Sequence, residues 1–181
     1  MGWRVNKTIV MVGMMGAGKT AVGRALAEVL GVRFLDSDQE IEQAAAMSIP
    51  EIFARDGEPF FRARESEVIG RLLDGPPCVL STGGGAYLAE ANRAAISARG
   101  VAVWLKADLD TLWQRVRHRD SRPLLKTSDP LATLSALYDA RVPVYALADV
   151  TVVSEPDIAI PDMAQRVVGA LMCRPDVLEA Q

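Results

Sequence analysis

Short apolar runs alternate along the chain with longer stretches in which apolar positions recur at helical spacing. Thr8–Val12 is a nearly continuous apolar run and predicts a buried strand. Arg33–Asp36, Cys78–Ser81, Val101–Leu105 and Asp149–Val153 predict four further strands. Gly18–Leu30 predicts a helix with Val22, Ala25, Leu26, Val29 and Leu30 on its apolar face and Gly31 as its C-cap. Further helices are predicted over Asp38–Met47, Glu58–Leu73, Glu90–Arg99, Asp108–Arg117, Leu131–Arg141 and Asp162–Cys173. Between the first two of these, Ser48-Ile49-Pro50-Glu51 restarts the chain as a helix. Ser48 is suited to the N-cap, Pro50 to an early helical position, and Glu51 to the acidic position of a capping box.

Strands and helices alternating through 181 residues predict an α/β fold: one domain over 1–181, its parallel sheet covered by helices on both faces. Residues 119–130 are polar, arginine-bearing and marked by proline, which predicts a mobile loop. The tail after Arg174 is expected to fray. Half of the residues are hydrophobic, enough for a sizeable core, and the net charge of −3 argues against nucleic acid as the partner. A phosphorylated ligand stays compatible, since it needs only local positive charge. Cys78 and Cys173 lie far apart in no metal-ligand spacing and read as reduced thiols of a cytoplasmic protein. The early apolar run Ile9–Met15 is too short and too glycine-rich for a signal peptide or membrane span, so no membrane partner is expected. His118 is the single histidine, which excludes histidine-based metal sites and triads.

The sharpest chemistry lies directly after the first strand. Gly13-Met14-Met15-Gly16-Ala17-Gly18-Lys19-Thr20 matches G-x-x-x-x-G-K-[ST] and opens a helix. Glycines there let backbone N–H groups surround phosphate oxygens, and the helix start adds its unpaired N–H groups and positive dipole end. Lys19 has the reach for β- and γ-phosphates, and the Thr20 hydroxyl suits Mg²⁺. The bland alternative, a glycine-rich turn with a solvated lysine, fits the strand-and-helix flanks poorly. The second predicted strand ends in Asp36-Ser37-Asp38, two carboxylates at the sheet edge where the phosphate loop lies. One suits water on Mg²⁺ and the other a substrate hydroxyl; capping of the next helix is an equal alternative, above all for Asp38.

With these motifs the chain resembles the shikimate kinases from about Thr8 to Val153. The resemblance rests on Gly13–Thr20; Asp36-Ser37-Asp38; Phe60-Phe61-Arg62 with Glu65; Ser81-Thr82-Gly83-Gly84-Gly85; Arg122-Pro123-Leu124-Leu125; and Arg141-Val142-Pro143-Val144-Tyr145, in that order. It implies a three-layer phosphate-loop fold like that of the nucleoside monophosphate kinases, with a five-stranded parallel sheet and a mobile lid. It implies phosphorylation of the 3-hydroxyl of shikimate by MgATP, giving shikimate 3-phosphate and ADP, in chorismate and aromatic amino-acid biosynthesis by a monomer. By resemblance, Gly16, Ala17, Gly18, Lys19, Thr20 and Ala21 take the nucleotide phosphates, with Thr20 and Asp36 near Mg²⁺. Arg115 lies against the adenine, where Pro156 is also suited to pack. Asp38 grips shikimate hydroxyls, Arg62 and Arg141 hold its carboxylate, and Gly83, Gly84 and Gly85 form the substrate floor. Arg122 reaches the phosphates from a lid over about 119–127, and helices over about 38–73 bind substrate. Lys19, Asp38 and Arg122 are then the catalytic residues.

Plain chemistry agrees with that assignment. A guanidinium fork suits a carboxylate, a carboxylate suits hydroxyl donors, and glycines admit a polar ring close to backbone amides. Phe53 and Phe61 are equally suited to the pocket wall and to the core, and Glu65 is suited either to aim Arg62 or to an ordinary exposed ion pair. Arg117 and Arg119 read as a solvated charged face, and His118 as a surface residue beside them. Val153-Ser154-Glu155-Pro156 lacks basic residues for adenine. A gluconate or nucleotide kinase of the same fold, or a nucleotide-binding module without turnover, are the competing functions.

Overall fold

The computed structural model describes residues 2–118 and 125–181. Arg119, Arg122 and most of the expected lid therefore lie outside the described residues. In chain order the elements are β1 (Trp3–Val5), β2 (Thr8–Val12), α1 (Lys19–Leu30), β3 (Phe34–Asp36), α2 (Ser37–Ala45), α3 (Ile49–Asp56), α4 (Glu58–Asp74) and β4 (Val79–Ser81). A short 3₁₀ turn at Ala86–Leu88 precedes α5 (Glu90–Arg99), β5 (Gly100–Lys106), α6 (Leu109–Val116), α7 (Pro130–Tyr145), β6 (Val150–Val153), α8 (Ile160–Leu171) and β7 (Leu178–Ala180).

Five of these strands form one sheet in the order β3-β4-β2-β5-β6, every pair parallel. The central strand β2 is buried along its whole length, and β5 is buried from Gly100 to Leu105, which accounts for their unbroken apolar runs. Helix α1 packs against α8, and α4 against α5. The chain leaves β2 toward α1 and later returns on β4 and β5, on opposite sides of β2. The loop after β2 thus opens at a switch point at the carboxyl edge, where ligands of α/β sheets bind.

Four expectations need correction. Val29 is 40% exposed, and the buried face of α1 runs through Val22, Gly23, Leu26, Ala27 and Leu30. Gly23 sets that orientation, since a Cβ there would lie 2.8 Å from the Phe34 ring. Helix α2 stops at Ala45 because Ala46 turns left-handed at φ 54. Helix α7 runs on through Pro143 to Tyr145, four residues past its expected end, because Tyr145 is fully buried and bonded to the sheet-edge loop. Lastly, the tail is ordered: β7 pairs antiparallel with β1, Val177 and Leu178 are buried, and Asp176 binds both Arg174 and Lys7.

Candidate active site

Beyond β2 the loop turns through Gly16 and Gly18 at φ 83 and 92, a region that a side chain would strain. A Cβ on Gly16 would also lie 2.7 Å from Val116 of α6, so the loop sits tightly on that helix. Lys19 Nζ donates to the carbonyls of Gly13 at 2.7 Å and Met14 at 3.0 Å, drawing the ammonium across the mouth of the loop. Gly16, Ala17, Gly18, Lys19, Thr20 and Ala21 all line one cleft of about 1140 Å³ at the carboxyl edge of the sheet.

The two carboxylates where β3 meets α2 divide the tasks that the sequence left open. Asp36 is the N-cap of α2: its Oδ1 accepts from the N–H groups of Asp38 at 2.9 Å and Gln39 at 3.3 Å. Asp38, the residue more readily read as a cap, instead sends its carboxylate into the cleft. Burial raises its pKa to about 6, with the charges of Asp36 and Glu65 adding to the rise and Lys19 opposing it. Thr20 and Asp36 both line the cleft. Hydroxyl and carboxylate oxygens are the donors that Mg²⁺ prefers, and the described residues hold no cluster of three or more potential metal ligands. An oxygen donor pair of this kind fits Mg²⁺.

Across the cleft, β4 leads into Gly83-Gly84-Gly85, and each glycine faces a different charged side chain. A Cβ on Gly83 would lie 2.9 Å from Asp38 Oδ1, one on Gly84 2.9 Å from Arg141 Nη1, and one on Gly85 2.6 Å from Arg62 Nη2. Three successive residues without side chains thus seat a carboxylate and two guanidiniums in a row. Tyr145, one helical turn beyond Arg141, fixes the middle of the turn by donating its hydroxyl to the Gly84 carbonyl at 2.6 Å. Its i+4 spacing from Arg141 was visible in the sequence; its partner was not.

Arg62 is aimed by two acids. Glu65 Oε1 accepts from Nη1 at 2.9 Å, and Glu58 lies 3.5 Å from Nε. Glu65 is 1% exposed and its Oε2 has no partner among the described residues, whereas Arg62 is 37% exposed, so the pair has a buried acid and a partly exposed base. Burial raises the Glu65 pKa, and Arg62 pulls it back. Phe61 and Phe53 meet at 4.9 Å between ring centres, tilted by 37°, and both line the cleft; Phe61 also packs with Ile41, Ile52 and Val68, so it serves wall and core together.

At the opposite end, Arg115 reaches from α6 to the phosphate loop and to Ser154 and Glu155. Pro156 lines the cleft here, joined by Ile158, Ile160 and Met163, an apolar seat that the sequence reading missed. Ile160 and Met163 follow the helical apolar pattern of α8, which gave no sign that they also face a ligand site. Arg117 and His118 are exposed and bonded to each other, away from the cleft.

An anion-binding loop at one end of a cleft and a small polar seat at the other is the layout of the phosphate-loop small-molecule kinases. Within that class, a family model described as shikimate kinase matches residues 15–171. A shikimate kinase of Ruegeria pomeroyi is 70% identical over 97% of this chain and 90% of its own length, and one of Cereibacter sphaeroides is 65% identical over 97% and 88%. Among solved structures, shikimate kinase from Acinetobacter baumannii in complex with shikimate superposes with a TM-score of 0.85 at 40% identity, covering 92% of this chain and 93% of that one. The chain belongs to the shikimate kinase family.

Proposed function

We propose that the chain transfers the γ-phosphoryl group of MgATP to the 3-hydroxyl of shikimate, giving shikimate 3-phosphate and ADP, in chorismate and aromatic amino-acid biosynthesis. The observation that carries this reading is the row of Asp38, Arg141 and Arg62 against Gly83, Gly84 and Gly85. A small ring with one carboxylate and several hydroxyls complements that row: the guanidiniums take the carboxylate and Asp38 the hydroxyls. The residues over about 38–73 serve the acceptor, and the whole chain works as one kinase domain.

The transfer depends on placement and charge more than on covalent chemistry. The loop N–H groups and Lys19 hold the phosphates in line with the acceptor. Asp38 orients the attacking hydroxyl and takes its proton late. Thr20 and Asp36 would hold Mg²⁺, which when bound would supply neutralisation of phosphate charge. Arg122, which lies outside the described residues, is assigned to the charge on the transferring group.

Arg62→Ala and Arg141→Ala are each expected to raise the KM for shikimate while leaving the KM for ATP nearly unchanged. Removing one side of a buried charged contact typically costs about 2–5 kcal/mol. Arg→Lys should recover little, because the two-pronged contact is lost. Saturation curves in both substrates test this: an unchanged shikimate KM in either alanine variant removes that residue from the acceptor site.

Gly85→Ala separates folding from recognition. Gly85 has φ −91, so alanine adds no backbone strain, and the atoms its Cβ meets are the flexible tip of Arg62. The protein is expected to fold, with a modest fall in melting temperature because moving Nη1 loosens its bond to the buried Glu65. The displaced guanidinium should raise the shikimate KM at least about tenfold, roughly 1.4 kcal/mol. Native-like shikimate kinetics in the folded variant would mean that Arg62 needs no seat on this turn.

A further inference from the structure

We infer that Arg115 is a positioning residue for the phosphate loop, bracing it against the segment that follows β6. This goes beyond a place beside the base and rests on the assignment of residues 13–20 to nucleotide phosphates. From α6, Nη1 donates to the carbonyl of Gly16 at 3.1 Å and lies 3.5 Å from that of Ala17, while Nη2 donates to Ser154 Oγ at 3.1 Å and to the Glu155 carbonyl at 2.9 Å. One planar group therefore joins three segments that are far apart in sequence.

The far end of this brace is itself fixed. Ser154 is 7% exposed, and its N–H donates to the Lys106 carbonyl at the end of β5 at 2.7 Å. Arg166 of α8 binds the Val153 carbonyl and the Glu155 carboxylate, each at 3.1 Å. The near end acts on the part of the loop whose direction matters. In a trans peptide the carbonyl and the following N–H point opposite ways. Holding the Ala17 carbonyl toward Arg115 turns the Gly18 N–H away from it. The Gly16 peptide is pinned on both sides: its carbonyl accepts from Arg115, and its N–H, on Ala17, donates to the Met14 carbonyl at 3.1 Å. Without the guanidinium the Gly16 and Ala17 carbonyls lose their anchor and the loop N–H groups lose their preset direction.

Lysine cannot replace this. A single ammonium carries the charge but does not span acceptors on two separate segments. A role beside the base and a role in the loop then differ in what a ligand without a base would feel.

The test is calorimetric binding of inorganic tripolyphosphate with Mg²⁺, alongside MgATP, to the native protein and to Arg115→Ala, Arg115→Lys and Ser154→Ala, with folding checked by circular dichroism. Losing two or more charge-assisted bonds should weaken tripolyphosphate in Arg115→Ala by about tenfold or more. Arg115→Lys should stay close to the alanine variant, and kcat should fall together with the rise in the KM for ATP. Ser154→Ala, which removes one neutral anchor, should weaken tripolyphosphate by about two- to fivefold. Tripolyphosphate binding unchanged in Arg115→Ala and Ser154→Ala while ATP weakens would confine Arg115 to the base and overturn the inference. Full recovery in Arg115→Lys would reduce it to a charge effect and overturn it equally. No tripolyphosphate binding by the native protein would instead remove the phosphate assignment of the loop.

Discussion

Asp38→Asn is expected to be more stable than the native protein at pH 8 and to have lost nearly all shikimate-dependent turnover. Both effects follow from one buried carboxylate. Its pKa rises from an ordinary 3.8 to about 6 because burial, Asp36 and Glu65 together outweigh the pull of Lys19. A raised carboxylate pKa favours the folded state below the unfolded value, and that advantage is lost as pH rises through 6. At pH 8 the ionised group costs the fold about 3 kcal/mol, an upper figure that the uncharged amide avoids. By pH 4 most of the stability difference should be gone, since Asp38 is then protonated in the folded state and close to half protonated in the unfolded one. Catalysis needs the opposite form. The ionised carboxylate orients the hydroxyl and accepts its proton, a role that typically contributes about 10²–10⁴ in rate. The kcat/KM for shikimate should therefore climb on the acid side and level off above about pH 6 in the native protein. Melting curves at pH 4 and pH 8 with a pH–rate profile check all of this. A variant less stable than the native chain at pH 8, or one with a change only in the KM for ATP, would place Asp38 outside this role.

Lys19→Met is expected to fold and to lose at least about 10²–10³ in kcat, the scale set by removing one preorganised donor from a developing negative charge. The ammonium now lies on the Gly13 and Met14 carbonyls, at the mouth of the cleft that also holds Asp38. Methionine keeps an unbranched apolar stem, one atom shorter, and removes the charge together with the bonds to the Gly13 and Met14 carbonyls. The attraction that lowers the Asp38 pKa goes with it, so Asp38 should titrate higher in this variant. Carbon-13 NMR of the aspartate carboxyls reads that shift whether or not the variant turns over. Near-normal ADP release from the folded protein would remove Lys19 from the transferring group.

Much of the architecture was legible because buried parallel strands are written as unbroken apolar runs. The ends of β2 and α5 fell where expected, and those of β3, β4, β5 and β6 within one residue. What misled were local rules overruled from a distance. Helix α7 was expected to end at Arg141, short of Pro143, yet the buried Tyr145 and its bond to Gly84, 61 positions away, carry the helix through. Strands β1 and β7 carry no buried apolar run, and only their pairing makes them strands.

The site divides in the same way. The phosphate loop and the residue types of the acceptor seat were readable, since the chemistry requires those residues at those spacings. The one-to-one matching of Gly83, Gly84 and Gly85 to Asp38, Arg141 and Arg62 was not, because it joins four elements that meet only in the folded chain. The same holds for Asp36 and Asp38: either can cap a helix, and only the backbone angle at Asp36 decides that it does. Arg115 shows the limit most plainly, since its loop partner Gly16 lies 99 positions earlier.

The most direct test of the account is ADP release from MgATP by the native protein with shikimate, with gluconate and with no acceptor, the product identified by phosphorus NMR. Release that depends on shikimate, with the new phosphate on the 3-hydroxyl and little activity in the other two reactions, is the expected result. Equal release with gluconate, or release that shikimate does not stimulate, would contradict it.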